Sequence, residues 1–577
     1  VIRKQLPFST SSIRRWIFLG VLFLVVVTGF WSRSTGGRQT ALAADHIITG
    51  RVLDEQGTPI AEAVVMLYTA EGTSEPAQET HTQRDGSYIL VLSETDSLEH
   101  AHLQVERAHF ASHDQTLDPA DLRTLQADGS LVLADIILAR HYGAAFWITA
   151  ATFALMLVLI ATERLHKTLV ALLATAIILG VSLVGGSLTE SLYIFDFELA
   201  LEYVDFDVIF LLMGMMIVIA VIEETGIFQW LAYQAYRLSR GRVWLLSIIL
   251  MVITAVASAL LDNVTTMLLM APITLQIALA VGINPLSLLL PEVLASNVGG
   301  ISTLIGTPTN ILIGSYAGLG FNDFVTNLTP GVIMAQLGLI GYTMLRYRKE
   351  YAHAGGGLSE ALLNRLRENA RIEDYRRLTK AGIVFIILLG LFIFGERIHL
   401  APAVSAIMGA VAMLIWVNPD IEQMMTVVDW TTLMFFIGLF MVIGAVQEVG
   451  LIALIATGIG NLVGSNLMAA ILAVAWMGAI ISGVVDNIPF AAAMLPVVGY
   501  LTRTIPGASN DVLFYALSIG AAMGGNSSLI GASANLVTAG IAARAGYPIS
   551  FKKFLIIGLP SVLVTVAIGC IWLFIRF

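Results

Sequence analysis

The segment LDNVTTMLLMAP, Leu261–Pro272, sets an acid and an amide, Asp262 and Asn263, inside a long apolar run. VDNIPFAAAMLP, Val485–Pro496, does the same 224 residues later. A charge at the centre of a bilayer costs at least about 2.5–3.5 kcal/mol on insertion scales. A chain tolerates that cost where the group faces a polar cavity. An interrupted helix supplies such a cavity, because its freed N–H and C=O groups bind ions and its dipole ends aim partial charge at them.

The spacing extends well beyond the two motifs. Asp205 and Asp429, Gly214 and Gly438, Glu224 and Glu448, Gly226 and Gly450, and Pro272 and Pro496 are also 224 apart. Further on the offset becomes 225, pairing Gly300 with Gly525, Gly306 with Gly531 and Asn310 with Asn535. Upstream, ERLH at 163–166 meets ERIH at 396–399. One duplication accounts for all of these matches.

The surrounding chain is that of a polytopic membrane protein. Of its 577 residues 57% are hydrophobic and 12% charged, with mean hydropathy +0.82; soluble domains are about one quarter charged. Many windows are apolar for the roughly 20 residues that cross a bilayer. The single cysteine, Cys570, excludes an intrachain disulfide. Net charge is −10, and the acidity is local: residues 45–140 hold 17 Asp/Glu against five Lys/Arg. That segment is expected to face water and lacks the basic charge of a nucleic-acid binder.

The N-terminus, residues 1–44, has a basic head, sixteen uncharged residues from Trp16 to Trp31, and the small residues of ALAAD. This pattern fits a cleaved secretory signal or a retained signal anchor, and either exports the segment downstream of it. Residues 45–140 have strand-like runs around Gly57-Thr58-Pro59 and in RDGSYILVL, 84–92. They resemble the carboxypeptidase regulatory-like (transthyretin-like) β-sandwich. His100, His102, His109 and His113 lie close in sequence, but no Cys or tight ligand quartet accompanies them, so surface histidines are expected and no metal centre.

From residue 141 onward spans are expected near 144–161, 167–186, 207–223, 287–318 and 330–345, forming a first repeat over 141–345. A basic linker occupies 346–380. A second repeat, 381–577, has spans near 381–395, 401–417, 430–447, 512–541 and 554–575. If the motif-bearing runs 243–280 and 468–503 are re-entrant hairpins, each repeat has five crossings, and the odd number inverts the second repeat. Positive residues agree with an exported N-terminal domain and a cytoplasmic linker: RLSRGR at 237–242 and ARAGYPISFKK at 543–553 fall inside, and the acidic loop 187–206 outside. The expected fold is therefore all-α in the membrane: two inverted repeats, each with a re-entrant hairpin and an unwound helix, behind a small extracytoplasmic β-sandwich.

SNVGGISTLIGTPTNILIGS, 296–315, and GGNSSLIGASANLVTAG, 524–540, are too rich in Gly, Asn, Ser and Thr for smooth lipid-facing helices. Pro308 removes a donor and restrains Thr307. Irregular backbone at membrane depth survives only inside protein or beside water, so both segments are expected to unwind at mid-span beside the tips. Asn297 and Ser302 equally fit helix packing. Glu292 has Leu517 as its counterpart; it could carry protons or pair with a neighbour. Glu223, Glu224 and Glu448 lie at span ends, where interfacial positions are expected.

Four motifs in order, LDNVTTMLLMAPIT, EVLASNVGGISTLIGTPTNILIGS, VDNIPFAAAMLP and GGNSSLIGASANLVTAGIA, resemble the ArsB/NhaD family of the ion transporter superfamily, nearest to its melanosomal P-protein-like branch. The resemblance covers roughly 144–577. It implies a homodimer with scaffold and transport domains, the latter moving as an elevator, and a site built from the hairpin tips and unwound helices. That role falls on Asp262, Asn263, Asn297, Thr307, Asn310, Asp486, Asn487, Asn526, Ser533 and Asn535. One departure matters: the branch usually reads Gly-Asp-Pro-Pro-Asn where this chain has Gly306-Thr307-Pro308-Thr309-Asn310, so a carboxylate is missing. Dicarboxylate-transporting relatives carry Ser-Asn-Thr at the tips, and the Asp here argues against a dicarboxylate as the sole substrate.

The expected function is secondary ion transport of the Na⁺/H⁺ exchange type, with an anion or oxyanion permease (arsenite, citrate-like) coupled to H⁺ or Na⁺ as the alternative. The partners expected are that small ion, membrane lipid of a bacterial inner membrane, a second copy of the chain, and a ligand of the β domain. No cofactor is expected beyond Na⁺ or H⁺ as coupling ion. An enzyme is not expected, since HExxH, a nucleotide loop and a suitably placed Gly-x-Ser-x-Gly are absent; a receptor would not need duplicated polar breaks.

Overall fold

In a computed structural model of the chain, residues 46–55, 57–69, 76–92, 101–162, 164–353, 368, 372 and 374–577 are described. The expected signal segment 1–44, His100, Glu163 and most of the linker lie outside the described residues. The chain divides into two compact units, Val1–His141 and Tyr142–Phe577.

In the first unit, β1 (His46–Asp54), β4 (Ser87–Leu92), β7 (Ser130–Val132) and β8 (Ile136–Leu138) form one sheet, with β1 antiparallel to β4 and parallel to β7 and β8. β2 (Val64–Tyr68), β3 (Gln78–His81), β5 (His102–Glu106) and β6 (His113–Thr116) form the other, in the order β3-β2-β5-β6. β4 alternates as a half-buried strand must: Tyr88, Leu90 and Leu92 join one core with Ile48, Val65, Leu67 and Leu103, while Ile89 and Val91 face out. The expected turn after β1 is present, with left-handed Gly57 donating to Asp54. A helix, α1 (Pro119–Asp128), adds to the expected strands.

The second unit is helical. Its elements are α2 (Ala144–Ala161), α3 (Lys167–Gly180), α4 (Phe197–Glu202), α5 (Phe206–Glu223), α6 (Ile227–Ser239), α7 (Val243–Leu260), α8 (Asn263–Val281), α9 (Leu286–Gly299), α10 (Pro308–Ala317), α11 (Phe321–Asn327) and α12 (Thr329–His353). The chain continues through α13 (Tyr375–Phe394), α14 (Pro402–Ala412), α15 (Ile421–Val427), α16 (Trp430–Glu448), α17 (Leu451–Val463), α18 (Leu467–Ser482), α19 (Asn487–Thr504), α20 (Val512–Gly524), α21 (Ser533–Arg544) and α22 (Phe551–Arg576). Among the described residues, eight helices are long and apolar enough to cross a membrane.

Several bounds differ from the sequence expectation. α12 continues to His353, past the expected end at 345, because RYRKEY contains no helix breaker. α13 begins at Tyr375, inside the expected linker, because the Asp374 carboxylate accepts from the backbone of Arg376 and Arg377 and caps it. The amphipathic helices α6 and α17 lie outside the expected spans. Each comes after a left-handed glycine, Gly226 (φ 76°) or Gly450 (φ 86°), that turns the chain sharply out of the preceding span. α7 and α8, expected together as one re-entrant run, are each of spanning length.

The elements recur at the spacing of the motifs. α7, α8, α9 and α10 correspond to α18, α19, α20 and α21, and the short 3₁₀ turns Gly300–Ser302 and Gly525–Ser527 are 225 apart. Equivalent helices pack reciprocally: α7 against α9 and α18 against α20; α5 against α14 and α3 against α16. Across the two halves, α8 packs against α21 and α19 against α10. Each hairpin's second arm therefore rests on the half-helix that comes after the other half's break.

Candidate functional site

Each tip is a helix N-terminus. Asp262 caps α8: its Oδ1 accepts from the backbone of Val264 and Thr265 at 2.9 Å each, and its Oδ2 from the Thr265 hydroxyl at 2.5 Å. Asp486 caps α19, but its Oδ1 accepts only from Ile488, at 3.2 Å. Its Oδ2 turns outward to the Ser533 hydroxyl at 3.1 Å and the Lys167 ammonium at 3.5 Å. The counterpart of Thr265 is Pro489, which offers no hydroxyl, and the counterpart of Ser533 is Pro308. The two halves thus exchange which element supplies the hydroxyl.

The two breaks share one backbone shape. α9 passes through Gly300–Ser302 into extended Thr303 (φ −135°, ψ 165°), and α10 begins after extended Thr307 (φ −152°, ψ 140°). Ser528 (φ −135°, ψ 166°) and Ala532 (φ −149°, ψ 138°) repeat this. The chain folds back so closely that only glycine fits. A Cβ on Gly306 would lie 2.4 Å from the Gly300 carbonyl and 2.6 Å from that of Ser258; on Gly531, 2.7 Å from Gly525 and 2.8 Å from Ser482.

Buried amides tie down the carbonyls these breaks set free. Asn310 Nδ2 donates to the carbonyls of Ile301 and Thr303 at 3.0 and 2.8 Å. Asn535 Nδ2 donates to Gly525 and Ser528 at 2.9 Å each. Asn297 then joins the halves: its Nδ2 donates to Asn526 Oδ1 at 2.8 Å and Asn535 Oδ1 at 2.9 Å, and its Oδ1 accepts from Asn263 Nδ2 at 2.8 Å. Asn526 donates to the Leu294 carbonyl, and Ser518 to Asn310 Oδ1. All five asparagines are buried. Unpaired, each amide would cost about 1–3 kcal/mol; paired, Asn263, Asn297, Asn526 and Asn535 form one network between the halves, and Asn310 separately braces the first break and accepts from Ser518 of the second half.

Five of the ten expected binding residues, all asparagines, are therefore bonded within the fold, four of them to one another. The rest keep free capacity. A carboxylate offers about four lone-pair positions, and Asp262 and Asp486 each use three. The buried hydroxyls of Thr307 and Thr309 have no partner among the described residues. Asn487 is buried with no side-chain hydrogen bond among the described residues, because position 522, the counterpart of Asn297, is alanine. No hydrogen bond joins Asp262 to Asp486 among the described residues.

A cavity of about 380 Å³ opens at Asp486, lined by Arg164, His166, Lys167, Asp486, Ile530 and Ser533 among others. Glu292 lies apart from it, fully buried on α9. Its Oε1 accepts from Thr254 at 2.8 Å and Thr274 at 3.1 Å, and its Oε2 has no partner among the described residues. No basic residue among them pairs with it, so the pairing expected as one alternative takes the form of two threonine hydroxyls. Glu448, expected at the interface, accepts from the Tyr203 hydroxyl, and Glu224 pairs with Arg377.

Three contributors escape a reading of the sequence: Lys167, Thr265 and Ser518. The signal for Lys167 is the step from ERLHK at 163–167 to ERIHL at 396–400, a lysine where the other half has leucine.

The profile of a citrate transporter family (CitMHS) matches residues 157–520. An uncharacterized transporter of Mycobacterium tuberculosis is 38% identical over 421 residues, covering 73% of this chain and 96% of its own. The P protein of Homo sapiens is 33% identical over 506 residues, covering 74% of this chain and 59% of its own. Among solved structures, the YdaH transporter of Alcanivorax borkumensis has a TM-score of 0.48 and 14% identity, covering 75% of this chain and 97% of that one. The chain belongs to the citrate transporter family within the ion transporter superfamily: it is a membrane-embedded secondary transporter and not an enzyme.

Proposed function

We propose that this member of the citrate transporter family exchanges a small cation, Na⁺ or Li⁺, for protons, as an ArsB/NhaD-like antiporter. The observation that carries the reading is the contrast between amides bonded within the fold and a carboxylate that lines a cavity. At the breaks the asparagines are consumed by the fold, while Asp486 faces a cavity with Ser533 at its side and the free amide of Asn487 next in sequence. A carboxylate, a hydroxyl and an amide oxygen form a hard-oxygen set suited to an alkali cation. One carboxylate is either protonated or ion-bound, so the two ions compete and exchange results.

In this reading the repeats are inverted, with an extracytoplasmic N-terminal unit, a cytoplasmic linker and a bacterial inner-membrane location. The reciprocal packing of α8 on α21 and α19 on α10 supports a single moving body in an elevator-type dimer. Glu292 serves as a second proton site. Glu292→Gln keeps both threonine hydrogen bonds, so it should alter the proton dependence of exchange without lowering the unfolding temperature; unchanged proton dependence contradicts that role.

A second reading, an anion or oxyanion permease, is favoured by Arg164, His166 and Lys167 in the same cavity and by Ser533 at the N-terminus of α21. Purified protein in liposomes under an imposed pH gradient separates the two. Exchange predicts that Na⁺ or Li⁺ collapses the gradient and that citrate and arsenite do not. Movement of citrate or arsenite with no response to Na⁺ or Li⁺ establishes the second reading instead.

A further inference from the structure

Lys167 opens α3, and α3 is bound to α16 rather than to the hairpins. Thr168 Oγ1 donates to the Thr431 carbonyl at 2.7 Å, and Thr175 Oγ1 to that of Gly438 at 3.0 Å. Gly438 lets the helices approach so closely that a Cβ there would sit 3.2 Å from Ala171. Asp486 and Ser533, by contrast, belong to the α18–α21 set. The Lys167 ammonium crosses between these groups, lying 3.5 Å from Asp486 Oδ2, 3.3 Å from Ser533 Oγ and 5.3 Å from the Phe435 ring centre. The side chains of Lys167 and Asp486 are 25% and 12% exposed, so the pair is largely withdrawn from water and weakly screened. The other half has no such arrangement among the described residues: Leu400 stands at the corresponding place, and every hydrogen bond to the Asp262 carboxylate comes from the first turn of α8.

We propose that Lys167 is a tethered competitor for the transported cation at Asp486. Resting on the cation reading above, it occupies the place a free cation would take and latches the α19 tip to α3 while the site is empty. Two positive charges cannot share one face of a partly buried carboxylate without strong repulsion. Binding of a free cation therefore displaces the ammonium and releases the tip. The consequence is coupling: the hairpin set is freed from the α3–α16 pair only when Asp486 has received its ion. Lys167 acts through Asp486 and is a positioning residue.

The test is the unfolding temperature of the detergent-purified full chain, titrated with NaCl against choline chloride at constant ionic strength. A ligand that binds only the folded protein stabilises it by RT ln(1 + [L]/Kd), so the half-saturating Na⁺ concentration is the Kd fitted to the rise in that temperature. Wild type, Lys167→Met, Lys167→Arg and Asp486→Asn are compared, with Lys167→Gln replacing the methionine variant if that is not recovered. Removal of the tethered charge should lower the half-saturating Na⁺ concentration roughly tenfold. Lys167→Arg should titrate as wild type, and Asp486→Asn should show no Na⁺ stabilisation. A role in packing alone would shift every temperature and leave the half-saturation point unmoved. Equal half-saturation in wild type and Lys167→Met, with the response lost in Asp486→Asn, overturns the latch and leaves the cation reading intact. No Na⁺ response in any of the proteins overturns both.

Discussion

Asp262 and Asp486 stand at the same place in two copies of one element, yet their surroundings differ. Asp262 is enclosed by two N–H groups and a hydroxyl of its own helix, and its neighbour Asn263 is bound to Asn297. Asp486 has a proline where Thr265 stands, lines an open cavity, and receives Lys167 from another helix. The surroundings of the breaks differ in the same sense. The cavity beside the second half's broken helix carries Arg164, His166 and Lys167. The one beside the first half's, about 450 Å³, carries Asp207, Asp323 and Glu396. The halves keep one backbone shape, down to matching φ and ψ at the breaks, while the side chains around the two acids differ.

The contrast is broken most directly by neutralising each acid in turn. Asp486→Asn should reduce cation exchange about 1,000-fold, or ~4 kcal/mol. Asp262→Asn should cost less than about tenfold, because asparagine caps a helix as well as aspartate does. Initial rates in proteoliposomes decide it, and equal losses would dissolve the distinction. Next in size is the backbone approach both halves share. Gly306→Ala should lower stability by about 3 kcal/mol, with Gly531→Ala slightly milder because its contacts are longer, since overpacking costs about 1–3 kcal/mol. Denaturant or thermal unfolding reads the order.

Asn297→Ala probes the network between the halves. It strips a partner from Asn263, Asn526 and Asn535 and should destabilise by about 2 kcal/mol, whereas Ala522→Asn, its counterpart, should leave the first half's network untouched. Smallest is Thr265→Val, which removes one hydroxyl from Asp262 and should cost about 1 kcal/mol of stability. If that substitution also raises cation affinity, the enclosure of Asp262 is what keeps it from competing with Asp486.

Much of this is legible in the sequence, for physical reasons. Gly, Pro and Asn at membrane depth cannot easily continue an α-helix, so the breaks at Thr303–Thr307 and Ser528–Ala532 and the correspondence of the halves can be read from composition and spacing. α6 and α17 are hidden because short amphipathic helices give no spanning-length apolar run. The fate of the asparagines is hidden as well: an amide that binds a ligand and one that binds a loose carbonyl look identical in one dimension. Lys167 and Asp486 are 319 residues apart, and only the fold brings them together. The exchange of Thr265 and Pro308 for Pro489 and Ser533 is readable from the repeat, but its meaning requires knowing that tip and half-helix meet.

Under the proposed function the exchangeable cation sits at Asp486 and not among the bonded amides. Equilibrium binding of radiolabelled sodium to the purified full chain tests it, comparing wild type with Asp486→Asn at two pH values. Saturable binding to wild type that weakens as pH falls, and none to Asp486→Asn, is the expected result. Undiminished binding to Asp486→Asn would contradict it.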